Sequence, residues 1–358
     1  MSLKVNLTKR QQHILWATVR HYVSTAEPVS SKTLTQEYNF QVSSATIRNA
    51  MGFLEKGGLL YQPHTSAGRI PSDSGYRIYV DQLMIPDEIV AREIQQRLNQ
   101  KLNAETWSFE ALLQGAAQML ATVSGYIALI TMPQNPSVTL RHLQLIYVHE
   151  RQVMLVIVTD AYQTQSVLMD LSAPKNSQQS WQLSEGELEI LSNFLNSKLR
   201  GKLLSEITRL DWKVIDKDFQ HYADFLKFLF KEVSDRIQSP TSTQIMIRGI
   251  SEVLRQPEFS QMQQVQMLLH LLEEEQDQLL PLIFEGAEPE IPVKQAKVRI
   301  GSENHLESLN SCALVSAIYR QGDIPVGSVG MIGPTRMLYE NAIALVESTA
   351  HYLTETLS

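Results

Sequence analysis

The sequence predicts an α+β protein of several domains that begins with a winged helix-turn-helix. Its 358 residues are enough for two or three domains. The first part of the chain has helical periodicity followed by a short hairpin pattern, whereas strand-like segments rich in β-branched residues begin at Tyr126. These strand signals give way to a polar helical stretch over 173–241 and return near Ala296. We therefore expect one α+β domain that is interrupted by an insertion.

The first two helices are predicted from their caps and from apolar spacing. Thr8 can cap a helix that runs to about Tyr22, because apolar side chains recur along one stripe of this segment. Pro28 then breaks the chain. Either Ser30 or Ser31 can cap a second, shorter helix.

A third helix and a hairpin complete the predicted winged helix-turn-helix. Ser43 can cap a helix that continues to about Lys56, where two glycines end it. Short extended segments at 59–62 and 69–70, on either side of a loop containing Gly and Ser, predict a wing hairpin. This order of elements is typical of a DNA-binding domain.

The rest of the chain alternates between helical and strand-like patterns, with a break at Pro86. The domains that we predict are 1–85 for DNA binding, 86–107 as a connecting helix, 108–172 with 242–358 as the α+β domain, and 173–241 as the insertion. The predicted strands are 126–132, 140–148, 153–159, 163–171, 296–300, 312–319 and 326–332. The further predicted helices are 73–83, 87–121, 183–198, 217–238 and 336–353.

The outward face of the third helix carries residue types that read DNA bases. With Ile47 at the centre of the buried face, the opposite face at about 100° per residue holds small or polar residues. These are Ala45, Asn49, Gly52 and Lys56, with Arg48 beside them. Arg48 can bond to guanine and Asn49 to adenine. The small residues Ala45 and Gly52 allow a close approach to the groove. We predict that this face enters the major groove.

Other side chains close to this helix suit phosphate oxygens. Ser43, Ser44 and Thr46 place hydroxyls at the helix N-terminus, where backbone N–H groups also attract anions. Arg69, next to flexible Gly68, can bring a cation from the hairpin to the DNA backbone or into the minor groove. We predict that these side chains hold double-stranded DNA without reading its sequence.

The distribution of charge also favours a DNA-binding domain. The chain has a net charge of −7, but residues 1–85 contain nine Lys or Arg and only five Asp or Glu, for a net +4. The remaining residues therefore carry −11. A basic module joined to an acidic body is the asymmetry expected of a nucleic-acid-binding protein.

The residues argue against several other classes of function. Cys312 is the one cysteine, which excludes an internal disulfide and a Cys-rich zinc site, and we interpret it as a small core residue. The histidines lack metal-ligand spacing, and Glu303–His305 is interpreted as a surface turn. No catalytic triad, carboxylate pair or phosphate loop stands out. We therefore expect no enzyme activity, no cofactor and no metal site.

The N-terminus and the hydropathy pattern predict a cytoplasmic protein. The first residues lack the apolar core of a signal peptide. No apolar run approaches the length of about 18 residues that a membrane-spanning helix needs. We expect no contact with a membrane.

Several separate motifs resemble those of the HrcA family, the heat-inducible transcription repressors of bacteria. The resemblance covers almost the full length of the chain and is weakest over 173–241. The motifs that carry it are 43–51 (SSATIRNAM), 64–71 (HTSAGRIP), 75–77 (GYR), 256–259 (QPEF), 301–304 (GSEN) and 327–337 (GSVGMIGPTRM).

The resemblance implies more than the residues do by themselves. It implies that the α+β domain is GAF-like and that the insertion is a dimerising domain. It also implies a homodimer that binds an inverted-repeat operator, the CIRCE element, upstream of chaperone genes. The chaperonin GroEL is expected to help the repressor into its DNA-binding state, so that repression is lost on heat stress.

Three alternatives remain open at this point. The GAF-like domain can instead sense a small molecule that controls a winged-helix repressor. The N-terminal module can serve only to localise an enzyme. The helical insertion can bind another protein, in an adaptor that touches DNA weakly.

Overall fold

The computed structural model of the chain is mixed α+β, as the sequence predicts. It describes residues 7–65, 67–102, 108–133, 139–149, 152–159, 164–170, 183–203, 245–260, 262–284 and 296–357, and single positions at 207, 222, 225, 226 and 229. Contacts divide the chain into two compact units. The first is Met1–Pro133 with Thr243–Ser358, and the second is Gln134–Ser242.

This division differs from the predicted domains. The second unit begins before the predicted insertion at 173–241 and includes three strands that the sequence analysis assigned to the surrounding α+β domain. Apolar alternation identifies a strand, but it does not identify the sheet that the strand joins, because that depends on partners distant in sequence.

Residues 7–84, which we call the head, form the helices and the hairpin in the predicted order. Its elements are α1 (Lys9–Thr25), α2 (Ser31–Glu37), α3 (Ser44–Lys56), β1 (Leu60–Tyr61), β2 (Ile70–Pro71) and α4 (Asp73–Ile78), which continues into a π-helical turn, Tyr79–Leu83. Each α-helix begins after a Ser or Thr whose hydroxyl accepts an N–H from the first turn. These caps are Thr8, Ser30, Ser43 and Ser72. The predicted caps at Thr8 and Ser43 are confirmed, and Ser30 rather than Ser31 caps α2.

Two helices and a strand follow the head in the first unit. They are α5 (Glu88–Lys101), α6 (Phe109–Ser124) and β3 (Ile127–Thr131). The predicted connecting helix at 86–107 corresponds to α5, while residues 103–107 lie outside the described part of the chain. Ser108 caps α6, and Gly125 ends it in the left-handed conformation that favours glycine.

The second unit contains a three-stranded antiparallel sheet and a helix. Its strands are β4 (Leu140–His149), β5 (Gln152–Thr159) and β6 (Thr164–Asp170), in that order in the sheet, and its helix is α7 (Glu185–Leu199). Asn196 of α7 accepts the N–H of Leu143 at 2.8 Å and donates to its carbonyl at 2.6 Å. The helix therefore satisfies backbone groups of the edge strand β4. The predicted helix at 217–238 lies mostly outside the described residues.

The chain then returns to the first unit. The elements there are β7 (Ile245–Arg248), α8 (Ile250–Val253), α9 (Met262–Glu273), α10 (Gln276–Phe284), β8 (Lys297–Ile300), β9 (Cys312–Gln321), β10 (Ile324–Pro334) and α11 (Tyr339–Leu357). The last three strands and the last helix match the predicted elements closely. The sequence analysis did not assign β7 or the three helices after it. We call the part of this unit that follows the head, residues 88–133 and 245–357, the body.

The body is built on a five-stranded antiparallel sheet with the order β7-β3-β10-β9-β8. Alternate residues of β3 enter different hydrophobic clusters. Ala128 and Ile130 pack in the cluster that includes α6 and α11, whereas Ile127 and Leu129 pack in the one that includes α9 and α10. Both faces of the sheet are therefore covered by helices. Cys312 is buried in the second cluster, as predicted, and burial raises the pKa of its thiol to about 12.

The loop between β8 and β9 corrects one interpretation of the sequence. The segment Glu303–His305 is not simply a surface turn, because Asn304 is only 3% exposed. The side-chain nitrogen of Asn304 lies 3.0 Å from the carbonyl oxygen of Gly301 and 3.2 Å from those of Leu309 and Cys312. The amide therefore holds the loop closed. A polar residue in a loop pattern does not reveal such internal bonding.

We expect Asn304→Ala to lower the free energy of unfolding by about 1–3 kcal/mol, because it leaves buried carbonyl groups without their donor. The exposed neighbour provides the control, and His305→Ala should change the free energy by no more than about 0.5 kcal/mol. Urea unfolding of the full chain measures both. Equal effects of the two substitutions would contradict the assigned role of Asn304.

Candidate nucleic-acid interface

Helix α3 is fixed in the head by its inner face. Ile47, Met51 and Leu54 are fully buried, as the helical period predicts. At the N-terminus, the Ser43 hydroxyl accepts the N–H of Thr46 at 3.3 Å and lies 3.0 Å from the Thr46 hydroxyl. The opposite face of the helix is thus held in a defined position toward solvent.

The predicted base-reading residues share this outward face. Ala45, Arg48, Asn49 and Lys56 are all exposed. Within the part of the chain that the structure describes, the side chains of Arg48 and Asn49 have no hydrogen-bond or ion-pair partner. Two planar, multidentate polar groups are therefore available on one helix surface for an external ligand.

The outward surface of α3 also includes a residue that the sequence analysis missed. The Phe53 side chain is 52% exposed, although it is a large apolar group. The helical period contained the signal, because Phe53 lies one turn after Asn49 on the same side of the helix. An exposed aromatic ring next to the polar residues offers an apolar contact, of the kind that a thymine methyl group accepts.

The residues predicted to hold phosphate are partly engaged inside the head. The Ser44 hydroxyl lies 3.0 Å from the Ser31 hydroxyl and joins α3 to α2. Ser43 and Thr46 bond to each other, as described above. The backbone N–H groups of Ser44 and Ala45 have no partner among the described residues, so both are free to donate to an external acceptor.

Arg69 is placed between the hairpin and α3. Its Nε and Nη2 atoms donate to the carboxylate of Glu55 at 3.0 and 2.9 Å, and its side chain is only 20% exposed. Its backbone exchanges two hydrogen bonds of 2.9 Å with Val29. Arg69 therefore links the hairpin to α3 and to the segment before α2. In this it differs from Arg48, whose side chain has no partner among the described residues.

Gly68 is needed for close packing and not for flexibility, which corrects the sequence interpretation. A Cβ atom at Gly68 would lie 2.5 Å from the carbonyl carbon and oxygen of Val29. The return strand of the hairpin therefore lies so close to the segment between α1 and α2 that no side chain fits between them at this position.

Uncompensated positive charge in the head lies on its helices. Arg20, Arg69 and Arg77 are all ion-paired. Other cations have no ion-pair partner among the described residues, and they are exposed on α1, α2 and α3. They are Lys9, Arg10, Lys32, Arg48 and Lys56. The basic excess inferred from the sequence is thus concentrated on these helix surfaces.

Membrane-spanning helices and metal-binding clusters are both absent from the described residues. No helix there combines the length and the apolar character that crossing a membrane requires. No group of three or more His, Cys, Asp or Glu side chains there is arranged to hold a metal ion.

Comparisons with known proteins place this geometry in context. A family model described as the HrcA protein C terminal domain matches residues 110–343. Proteins named heat-inducible transcription repressor HrcA from Nostoc punctiforme and from Anabaena sp. strain L31 are each 58% identical to this chain. The first match covers 99% of both chains, and the second covers 99% of this chain and 100% of the relative. A crystal structure described as a hypothetical protein is 26% identical, with a TM-score of 0.60 over 98% of this chain and 99% of the other.

We expect opposite effects from two Gly→Ala substitutions in the head. Gly68→Ala should lower its stability by about 1–3 kcal/mol, because the new methyl group overlaps the Val29 backbone. Gly52→Ala should raise its stability by about 0.5–1 kcal/mol, because Gly52 lies inside α3 with nothing within 4 Å of a new Cβ. Thermal unfolding followed by circular dichroism gives the sign of each change. A stabilising effect at position 68 would contradict the close approach.

Proposed function

The chain belongs to the HrcA family of heat-inducible transcription repressors, and on that premise we propose that it represses transcription by binding operator DNA through α3. Its relatives carry the name of a repressor, which is not an enzymatic role. In this proposal the head is a winged helix-turn-helix, with α3 as the recognition helix and the β1–β2 hairpin as the wing.

The observation that carries the proposal is the pair Arg48 and Asn49 on α3. Both side chains are exposed, and neither has a partner in the described part of the chain, although polar side chains nearby bond within the head. Arg48 can take the two acceptors of guanine, and Asn49 can take the donor and acceptor of adenine. Ala45 keeps the helix surface small where it enters the groove.

The remaining contacts in the proposal are with the DNA backbone. The N-terminus of α3, with Ser43, Ser44 and Thr46, faces a phosphate through its free N–H groups. Lys56 and the other unpaired cations on the head supply the salt-dependent part of the affinity. The sequence predicted that Arg69 contacts DNA. Because Arg69 bonds to Glu55, we propose instead that its main role is to hold the hairpin against α3.

We further propose that the repressor works as a homodimer on an inverted repeat, the CIRCE element. The same helix must read both half-sites of such a repeat, which requires two-fold symmetry. Resemblance to the family supports a GAF-like body, a dimerising second unit, and the chaperonin GroEL as the partner that promotes the DNA-binding state. Heat then relieves repression when unfolded proteins occupy the chaperonin.

Control by a small molecule is the alternative, and the cavities in the first unit give it little support. A cavity of about 120 Å³ lies between α5, α6 and α11, below the roughly 300–1,000 Å³ of typical ligand sites. A second cleft, of about 370 Å³, is within this range, but it is open to solvent and its charged lining residues Arg77 and Asp81 already bond to each other. Thermal shifts with a metabolite panel would distinguish this alternative.

Fluorescence anisotropy tests the proposal directly. The full chain is added to a labelled inverted-repeat duplex and, separately, to a labelled scrambled duplex of equal length. Both titrations are carried out at near-physiological salt, with and without chaperonin. The proposal requires tighter binding to the operator than to the scrambled duplex, and an increase in active repressor with chaperonin. Equal weak binding to both duplexes in both conditions would overturn it.

Arg48→Ala should weaken operator binding by about 1–3 kcal/mol at particular base pairs, because it removes a bidentate base contact. Binding to a panel of duplexes with single base-pair changes measures this loss. The variant should become indifferent to the base pair that Arg48 reads, while its affinity for scrambled DNA changes little. A uniform loss across the panel would show that Arg48 contacts only the backbone.

Arg69→Ala should weaken binding to all sequences, because the hairpin loses its tie to α3 and Glu55 loses its counter-charge. Glu55→Gln is the informative partner variant. If Arg69 mainly holds the hairpin, Glu55→Gln also weakens binding; if Arg69 mainly contacts phosphate, releasing it tightens binding and steepens the salt dependence. We expect the first result, measured as anisotropy at several salt concentrations.

A further inference from the structure

The head is joined to the body by directional polar contacts that converge on the loop after β8. The guanidinium of Arg77 in α4 donates from Nε to Glu303 Oε1 at 2.9 Å and from Nη2 to Glu303 Oε2 at 2.5 Å. Nη2 also donates to the carbonyl oxygen of Val298 at 2.6 Å, and Nη1 donates to Asp81 at 3.0 Å. A planar group bonded along three of its edges fixes both distance and orientation.

The protonation of this pair supports its role as a permanent contact. Burial alone would raise the pKa of Glu303, but hydrogen bonds from Arg77 and from the N–H of Ile300 outweigh burial, and the pKa is lowered. Glu303 therefore stays ionised throughout the neutral range. Its side chain is 36% exposed and that of Arg77 is 21% exposed, so solvent screens the pair only in part.

A second contact lies beside the first and depends on a glycine. Asp73, in the first turn of α4, accepts from both the backbone N–H and the hydroxyl of Ser302, at 2.9 and 2.8 Å. Gly301 lies against the same carboxylate, and a Cβ there would overlap it. The residue also has a φ of +51°, which favours glycine. The Asp73 carboxylate, in the first turn of α4, therefore occupies a recess of the body that a side chain at position 301 would fill.

A third contact joins the other end of the head to the body. Arg336, only 13% exposed, bonds to the carboxylate of Glu258 and donates to Gln256 at 2.9 Å. Its remaining nitrogen donates to the carbonyl oxygen of Val23 in α1 at 3.2 Å. The Tyr79 hydroxyl also bonds to Glu340 of α11. The head is therefore held at both α1 and α4.

The apolar part of the junction belongs to a continuous core. Tyr76 of the head and Tyr339 of the body are buried, with ring centroids 5.9 Å apart. Head and body residues lie in a single hydrophobic cluster. Apolar packing provides attraction without strict direction, whereas the arginine contacts select one orientation.

The arrangement has a consequence for reading an inverted repeat. In a two-fold dimer, the separation and rotation of the two recognition helices depend on the dimer contact and on the angle between each α3 and its own body. A head that pivots would meet half-sites at several spacings, whereas a fixed head meets one. The proposed DNA surface does not use motifs 75–77, 256–259 and 301–304, or Arg336 of motif 327–337, and each of these supplies contacts at this junction.

We propose that Asp73 and Arg77, received by Gly301–Glu303, are positioning residues that set the half-site spacing the protein accepts. They do so without touching DNA, by fixing the orientation of α3 relative to the body. The inference rests on the proposed function, because it presupposes binding to an inverted repeat.

Two glycines supply a matched pair of variants. Gly301→Ala places a methyl group against Asp73 and displaces α4. Gly322→Ala carries a similar backbone strain, since its φ is +59°, but nothing lies within 4 Å of its new Cβ. A comparison of the two therefore separates loss of the contact from loss of glycine. Glu303→Gln is a second variant, which keeps the shape of the side chain and removes its charge.

The measurement is the affinity for a single half-site and for inverted repeats with spacers altered by −2, 0, +2 and +4 base pairs, where 2 base pairs rotate a half-site by about 70°. The wild type and Gly322→Ala should lose about tenfold or more in affinity at altered spacings, because both heads cannot engage together. Gly301→Ala and Glu303→Gln should keep the affinity for a single half-site within about twofold of the wild type. When the spacer is altered, these two variants should lose much less affinity than the wild type does.

The outcomes are distinguishable. A flattened spacing profile with intact half-site binding supports the positioning role. An unchanged profile in Glu303→Gln overturns it, as does an equal loss on half-site and full operators, which would indicate a damaged head. If Gly301→Ala does not fold, Glu303→Gln decides. If the wild type binds operator and scrambled DNA with equal affinity, the proposed function fails, and the inference fails with it.

Discussion

Arg77 and Glu303 form an ion pair between residues 226 positions apart, and the relation of head to body depends on it. The pair forms inside a junction where the Tyr76 and Tyr339 rings are also buried. Separating the partners would leave the Glu303 carboxylate without the hydrogen bonds from Arg77, so the arginine-centred contacts favour one orientation of the head. The α3 surface is consequently presented by the whole first unit and not by three small helices alone.

The polar residues around α3 divide into two groups with different physical roles. Ser43, Ser44, Thr46 and Arg69 bond within the head and give α3 a fixed position. Arg48 and Asn49 have no such partners in the described part of the chain. Rigid support combined with a few unpaired groups is how a small surface obtains specificity, because the support loses little conformational entropy on binding while the free groups make directional bonds.

The sequence predicted those features that depend on near neighbours. The Ser43 cap follows from the residue type that begins a helix. The buried position of Ile47 and the last three strands and last helix of the body follow from periods of two or 3.6 residues. The ion pair between Arg69 and Glu55 was not foreseen, and neither was the recess for Asp73 at Gly301, because each depends on residues brought together only by the fold. The same limit explains why the sequence analysis placed strands β4–β6 in the α+β domain, whereas they form a separate sheet in the second unit. Their alternation was predicted correctly, but the sheet that a strand joins depends on residues distant in sequence.

The order in which the junction is assembled has a consequence for synthesis of the protein on the ribosome. Val23 and Arg336, which meet at one end of the head, are 313 positions apart. At about 5–20 residues per second, translation separates their appearance by roughly 15–60 s. The head can form its own helices early, but it has no body to hold it until the final part of the chain has emerged. A nascent or prematurely terminated chain therefore carries α3 without the contacts that fix its direction, and only a completed polypeptide has them.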